Sequence, residues 1–530
     1  MRRTMRARFI RRVSPVALAL LVLVACSRSD EPSSTQAADA DDNNASIAWF
    51  DGTVDDALIA AEDRRKPVFL YWGAKWCPPC MQLKTTVFNR PAFIETTRLF
   101  VPVYLDGDTP GAQRWGEHFG IVGYPTLIVL RPDGTELTRI SSGMDLEAYP
   151  RVLKIAARQT RPAEALLTAA LAEPDSLAVA DWDLLANYGW WVDRGTLLGE
   201  RSMAEVMSQL AQGAPTAQLQ DQFALLQYAA LLSASDDPET LLTAAQQEQA
   251  RMLLLRLIEA PARLRANIDT LNYFAVGLVM ASAADAERRE ALAERLDIAM
   301  RSVGSADGFT IKDRLYAQRT RVELVKALNP DAPIPAAMIA DVRETVAWAD
   351  QAAETPQERQ GMANYATYTL ESADLQADAE ALLLKEIERS PDAYYFMPTV
   401  AEYAQERGDT DQALTWLERA YEESRGAATR AQWGLIYVGG LLDMRPAATD
   451  RIEQVMTQII EELAAEPSAF YQRTRMRFVR IDGELKAWAA REDAQPALQT
   501  LNMAMGRVCE QLPEASDIRT DCDALFGGNA

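Results

Sequence analysis

The feature that most constrains this chain is Trp76-Cys77-Pro78-Pro79-Cys80. It follows an apolar run, Pro67-Val68-Phe69-Leu70-Tyr71-Trp72, that reads as a buried strand, and it opens a helix-like run over 81–88. Two cysteines separated by two residues at a strand-to-helix turn make a dithiol that can open and close as a disulfide. A static disulfide and half of a zinc site are the competing readings. A second signal favours the redox pair: Gly123-Tyr124-Pro125-Thr126, ahead of another apolar run over 127–130.

Disulfide exchange needs one thiolate that attacks and a second thiol that resolves the mixed disulfide. Cys77 falls at the N-cap of the following helix, where the helix dipole and free amides favour the anion. Cys80, one turn deeper, is the resolving thiol. Pro78 suits the first helical position, where an N–H would be unpaired anyway. Pro79 removes a second N–H near the sulfur, so thiolate stabilisation leans on the Cys80 amide. The two prolines thus tune the pair. No histidine separates the cysteines, which points to a reductase- or isomerase-like poise. His118, the chain's one histidine, excludes a histidine-rich metal site. It sits in a surface-looking helix, a poor place for the base of a Ser-His or Cys-His hydrolase. No cofactor and no metal are called for.

The 530 residues are enough for two or more domains, and 54 basic against 76 acidic residues make nucleic acid an unsuitable partner. Six arginines lie within residues 1–12, followed by an apolar run over 16–24 that is short for a membrane span. The run ends in Leu23-Val24-Ala25-Cys26, which resembles the bacterial lipobox, with Cys26 as the lipidated residue. An ordinary cleaved signal with a chance cysteine is the alternative. Ser27, where no Asp stands, points by resemblance to sorting rules to the outer membrane. Removing residues 1–25 with their six arginines takes the net charge from −22 to −28. Residues 26–46 read as a lipidated cysteine and a disordered tether with a reach of roughly 25 Å. An exported chain meets oxidising conditions, in which disulfides persist. Cys509 and Cys522 then read as a structural clamp worth about 3 kcal/mol in the loop-entropy picture, with a second relay pair as the alternative.

Folding starts near Ile47. Thr53 and Asp56 suggest a helix cap, and Arg64-Arg65-Lys66 closes that helix. The strand, the cysteine turn and its helix follow. Asn89-Arg90-Pro91 breaks that helix, and a second piece runs over 92–99. Strands are expected over 100–105 and 125–130, with a helix over 110–119 between them. Pro132-Asp133-Gly134 turns the chain back into an antiparallel strand over 136–141, and a helix over 145–158 closes the unit. From 161 to 530 strand-like runs nearly vanish, and the pattern is all-helical. The clearest unit is 399–407, then Gly408-Asp409-Thr410-Asp411, then 412–423. Ala413 and Ala420 lie two turns apart on one face with Leu417 between them, so a neighbouring helix can approach closely. With the late Pro391 after Ala379, these features resemble degenerate tetratricopeptide repeats. The tryptophans 182, 190, 191, 348, 416, 433 and 488 sit at helical spacing and read as core.

Residues 47–149 resemble the thioredoxin-like family, most closely the C-terminal domain of the periplasmic thiol:disulfide interchange proteins (DsbD). The carrying residues are Lys66-Pro67-Val68, Trp76 to Cys80, Val87-Phe88 with Pro91, Asp106, Val122 to Thr126, and Gly134. The resemblance implies an α/β thioredoxin fold over 47–160, ahead of an all-α, TPR-like solenoid over 161–530. It implies a nucleophilic Cys77, a resolving Cys80 and a cis Pro125, with Trp76 and the Tyr124-Pro125 loop as the surface for a substrate segment. The implied activity is that of a membrane-anchored periplasmic thiol–disulfide oxidoreductase on protein clients, fed by an upstream thiol donor in the membrane. A non-catalytic scaffold or redox-sensing adaptor is the alternative. Tyr71 departs from the pattern, standing where many thioredoxins carry a buried acid. Asp106 or water could then serve the Cys80 proton, and Asp106 equally reads as a strand-end turn residue.

Overall fold

The computed structural model describes residues 46–527 except 108, 283, 284, 391 and 515. The expected signal segment, Cys26 and nearly all of the tether lie outside the described residues. Helix α1 (Val54–Arg64) starts on a reciprocal cap. The Thr53 hydroxyl accepts from the Asp56 amide at 3.1 Å, and the Asp56 carboxylate accepts from the Thr53 amide at 3.0 Å. Such a cap contributes about 1 kcal/mol. Arg65, in the left-handed region at φ 52°, ends the helix.

Strand β1 (Val68–Gly73) is buried along its whole length, as its unbroken apolar run demands of a central strand. It pairs in parallel with β2 (Val101–Asp106), Leu70 opposite Val103, and antiparallel with β3 (Thr126–Leu130), Leu70 opposite Ile128. Strand β4 (Glu136–Ile140) returns antiparallel to β3 after a turn in which Gly134 has φ 83°. The sheet order is β2-β1-β3-β4. Helices α2 (Pro78–Leu83), α3 (Pro91–Thr97), α4 (Pro110–His118) and α5 (Ala148–Ala156) complete the unit. One element differs from expectation: after Leu83 the α-helix widens into a π-helical stretch, Lys84–Phe88. The Thr85 and Thr86 hydroxyls donate back to the carbonyls of Met81 and Gln82 at 3.0 and 2.7 Å. They compete there for acceptors of the regular helix.

The rest of the chain, from Ala163–Ala172 to Asp517–Asp523, is helical. Its helices pack on their neighbours and again on the next but one, for example Pro261–Ser282 on Ile311–Leu328 and that helix on Pro356–Ser372. This is how stacked helical hairpins bury their apolar faces. Met397–Glu406 and Thr410–Glu423 form a hairpin around Gly408, at φ 82°. Ala413 and Ala420 are buried, and Gly440 of the next helix sits against Leu417. Trp182 and Trp488 are fully buried core residues. Trp191 and Trp348 depart from the core reading at 39% and 37% exposure. Each is covered from one side, Trp191 by the Phe274 ring and Trp348 by the Arg314 guanidinium. Among the described residues no helix is long and apolar enough to cross a membrane.

The two faces of the sheet are buried in different parts of the helical region. Leu70 and Trp72 share a core with the cysteine turn and with residues between 315 and 526. Phe69 and Tyr71 share one with Phe88, Phe93 and residues between 163 and 226. The α/β unit is therefore held between two arms of the array. At the far end Cys509 and Cys522 are joined, closing the Gln495–Cys509 helix onto Asp517–Asp523. A Cys509→Ser/Cys522→Ser double variant is expected to lose about 3 kcal/mol, read as a lower urea midpoint. An unchanged midpoint would show that the clamp closes a segment already ordered when unfolded.

Candidate redox site

The turn between β1 and α2 builds the site. Cys77 is the N-cap of α2, with φ −77° and ψ 111°, and Pro78 and Pro79 are its first two residues. Neither proline has an N–H, so the first amide the helix offers is that of Cys80. It donates to the Cys77 sulfur at 3.2 Å. The amide of Cys77 itself donates to the Ala74 carbonyl at 3.3 Å, which fixes the turn. Cys77 and Cys80 are joined as a disulfide. The Tyr124–Pro125 bond is cis. The Tyr124 ring meets Trp72 and Trp76 edge-on, with centroids at 5.3 and 5.9 Å. Thr126 Oγ1 donates to the Gly123 carbonyl at 2.8 Å and shapes the same loop.

Sequence reasoning did not reveal the cover. Gln360, on Pro356–Ser372, donates from its amide nitrogen to the carbonyl of Trp76, 284 residues away in sequence. Tyr365, on the same helix, donates to Gln82 Oε1 at 2.8 Å. The Tyr395 ring stacks on Trp76 at 6.3 Å, and the Arg473 guanidinium lies 4.2 Å from the centre of the Tyr124 ring. Glu117 of α4 accepts from Arg475 at 2.7 Å and from the Gln472 amide at 2.8 Å. The surface expected to receive a substrate segment is thus occupied by the chain's own side chains. Cys77 is 3% exposed, Trp76 2%, and Cys80 not at all. A linear motif reports what flanks the cysteines; it carries no signal for a helix that packs on them from far along the chain.

A cavity of about 70 Å³ remains at this junction, between Pro79 and Pro125 on one side and Asp269, Lys312 and Tyr365 on the other. Lys312 and Asp269 are ion-paired there. Burial alone would push the Lys312 ammonium toward neutrality, but Asp269 together with Tyr273, Tyr365 and Asp313 outweighs it and holds the charge. Gly143 leaves the room that the Asp269 carboxylate fills.

Tyr71, at the place of the usual acid, is fully buried and stacks on Tyr104 at 5.3 Å. Burial pushes its phenol far up, so it stays neutral and takes no proton from Cys80 at ordinary pH. Lys84 reaches the Tyr104 ring face at 4.5 Å, and burial pulls its pKa down. Asp106 pairs with Gly73 at the end of the sheet, and its carboxylate lies 3.4 Å from the Tyr104 hydroxyl. His118 is exposed against Trp115 and Phe119. Among the described residues no group of three or more His, Cys, Asp and Glu is placed to hold a metal ion.

A thioredoxin-like domain is the class that this sheet, N-capped cysteine and facing proline define. Residues 54–157 match the family model of the thioredoxin-like domain. No curated protein matches the chain. The domain fits thiol–disulfide redox chemistry in general. If the cover limits access, Gln360→Ala, which removes the hydrogen bond to Trp76, should shift the opening equilibrium by about 1–3 kcal/mol. The expected result is roughly tenfold faster reduction of Cys77–Cys80 by dithiothreitol, followed by alkylation and mass spectrometry. An unchanged rate would show that the 356–372 helix does not gate the pair.

Proposed function

We propose that the protein is a lipid-anchored periplasmic thiol–disulfide oxidoreductase for protein clients, held at the outer membrane through Cys26. The single observation that carries the redox part is the Cys80 amide aimed at Cys77 Sγ on an N-capping residue. The address rests on the sequence of residues 1–27. In the reducing direction the Cys77 thiolate attacks a client disulfide, forms a mixed disulfide and releases one client thiolate, which takes a proton. Cys80 then gives up its proton to water, attacks Cys77 Sγ as the thiolate, and breaks the mixed disulfide. The second client sulfur leaves as a thiolate that takes a proton, and Cys77–Cys80 is left oxidised, the state seen here. Two electrons pass to the client in each cycle. An upstream dithiol in the membrane restores the pair. Trp76, Tyr124 and Pro125 receive the client segment once Gln360 and Tyr395 withdraw, and the TPR-like array holds the rest of the client.

The burial of the pair favours a second reading, a redox-sensing adaptor. Cys77 and Cys80 share one apolar core with the helices that cover them, so their oxidation state is coupled to that packing. Such an adaptor binds its client differently in its two redox states and need not turn over.

The enzyme reading predicts that the reduced protein reduces a model protein disulfide and that Cys77→Ser brings the rate to the uncatalysed level. Cys80→Ser should accumulate mixed disulfides on Cys77, identifiable by mass spectrometry. Full activity in Cys77→Ser would remove this reading. A client affinity that differs between the two redox states, without turnover, would favour the adaptor.

A further inference from the structure

Beside the redox loop lies a basic cavity that the chemistry above does not use. It has a volume of about 390 Å³ and is lined by Arg194, Arg473, Arg477 and Arg480, with Glu484 as its one acid. Its apolar walls include Val122, Leu435, Ile436 and Ile481. Arg473, Arg477 and Arg480 stand on one face of Gln472–Arg491, at spacings of four and three. Like charges at those spacings repel, and a helix gains nothing from the arrangement by itself. Arg480 reaches Glu484 at 3.5 Å, but 84% of its side chain is exposed, so that pair offsets little of the repulsion.

Arg477 makes the cavity more than a solvated basic face. Its Nε and Nη2 are shut off from solvent and have no hydrogen-bond partner among the described residues. A charged donor left this way is unfavourable unless something accepts from it. Burial first, and then the neighbouring Arg473 and Arg480 charges, disfavour its protonated form, so an anion in the cavity would offset all of these costs at once. In a chain of net charge −22, a four-arginine cavity is a local reversal of sign.

The position of the cavity selects among anions. Val122, on its wall, is two residues before Tyr124. Arg473 links the cavity to the redox loop, since its guanidinium lies over the Tyr124 ring. A ligand held at Arg477 thereby lies next to Arg473 and the loop that carries Tyr124, with apolar wall to cover its stem. We propose that this cavity is a carboxylate-binding subsite for acidic side chains of the client polypeptide, placed beside its reacting cysteine. The assignment rests on the client-exchange reading above.

The test uses the full chain with Cys77→Ser/Cys80→Ser, so that no redox step is needed. The probe is a fluorescein-labelled twelve-residue peptide with three glutamates flanking a serine, set against its glutamine twin, by anisotropy at low salt. The glutamate peptide should bind about tenfold tighter. Arg477→Met, and separately the exposed Arg480→Met, should bring the ratio of the two affinities near one with unchanged circular dichroism. Equal binding of the twins by the parent, or a preference intact in Arg480→Met, overturns the subsite. So does displacement of the peptide by free succinate at the peptide's own concentration, which would assign the cavity to small acids. Exchange with a model disulfide is measured separately on the wild-type chain. Loss of that activity would remove the redox reading and leave the binding result to stand or fall alone.

Discussion

The structure depends on the contact between the cysteine turn and the helix at 356–372. A dithiol that exchanges with a partner must be reachable, yet this one is packed as core. The hydrogen bond from Gln360 to the Trp76 carbonyl satisfies a backbone group that water would otherwise serve. Tyr395 covers the indole of Trp76, and Tyr365 anchors Gln82 one turn beyond the cysteines. These contacts are few and individually modest, on the order of 1 kcal/mol each. They sit within the apolar core that the cysteine turn shares with Met362, Ala363 and Ala366 of that helix, so opening the pair also parts apolar surface.

Charge pairs ring this contact. Arg475 joins Glu117 of the α/β unit to Asp521, which neighbours the bridged Cys522. Arg265 joins Asp145, just before α5, to the Pro261–Ser282 helix at 3.2 Å. Partly buried pairs of this kind disfavour misplaced docking, because a shifted array would leave a charge without its partner. The Lys312–Asp269 pair is the buried member of the set. Its Lys312 stays charged because Asp269 and the surrounding Tyr273, Tyr365 and Asp313 favour the ammonium.

Most of the α/β unit was legible in the sequence. The unbroken apolar run 67–72 specifies a strand buried on both faces, and Thr53 with Asp56 specifies a cap; both formed within a residue of expectation. The π-helical stretch after Leu83 was not legible. It arises from two adjacent threonines competing for carbonyls, a local balance that apolar periodicity does not report. The chemistry of the turn was largely legible too, because Pro78 and Pro79 lack N–H groups whatever surrounds them. The cover was not, because Gln360, Tyr395 and Arg473 look like ordinary helix-face residues until the array folds back.

The sequence by itself determined the cysteine pair, its helix N-terminus, the lone Cys80 amide that serves Cys77, and the facing Tyr124-Pro125 loop. These follow from covalent structure and from spacings of a few residues. Only the tertiary structure decided that the pair is buried, that the sheet is gripped from both faces, and that three arginines of one helix meet beside the redox loop. Those outcomes depend on which apolar faces find each other across hundreds of residues. Burial is decided by that pairing, and no local spacing encodes it.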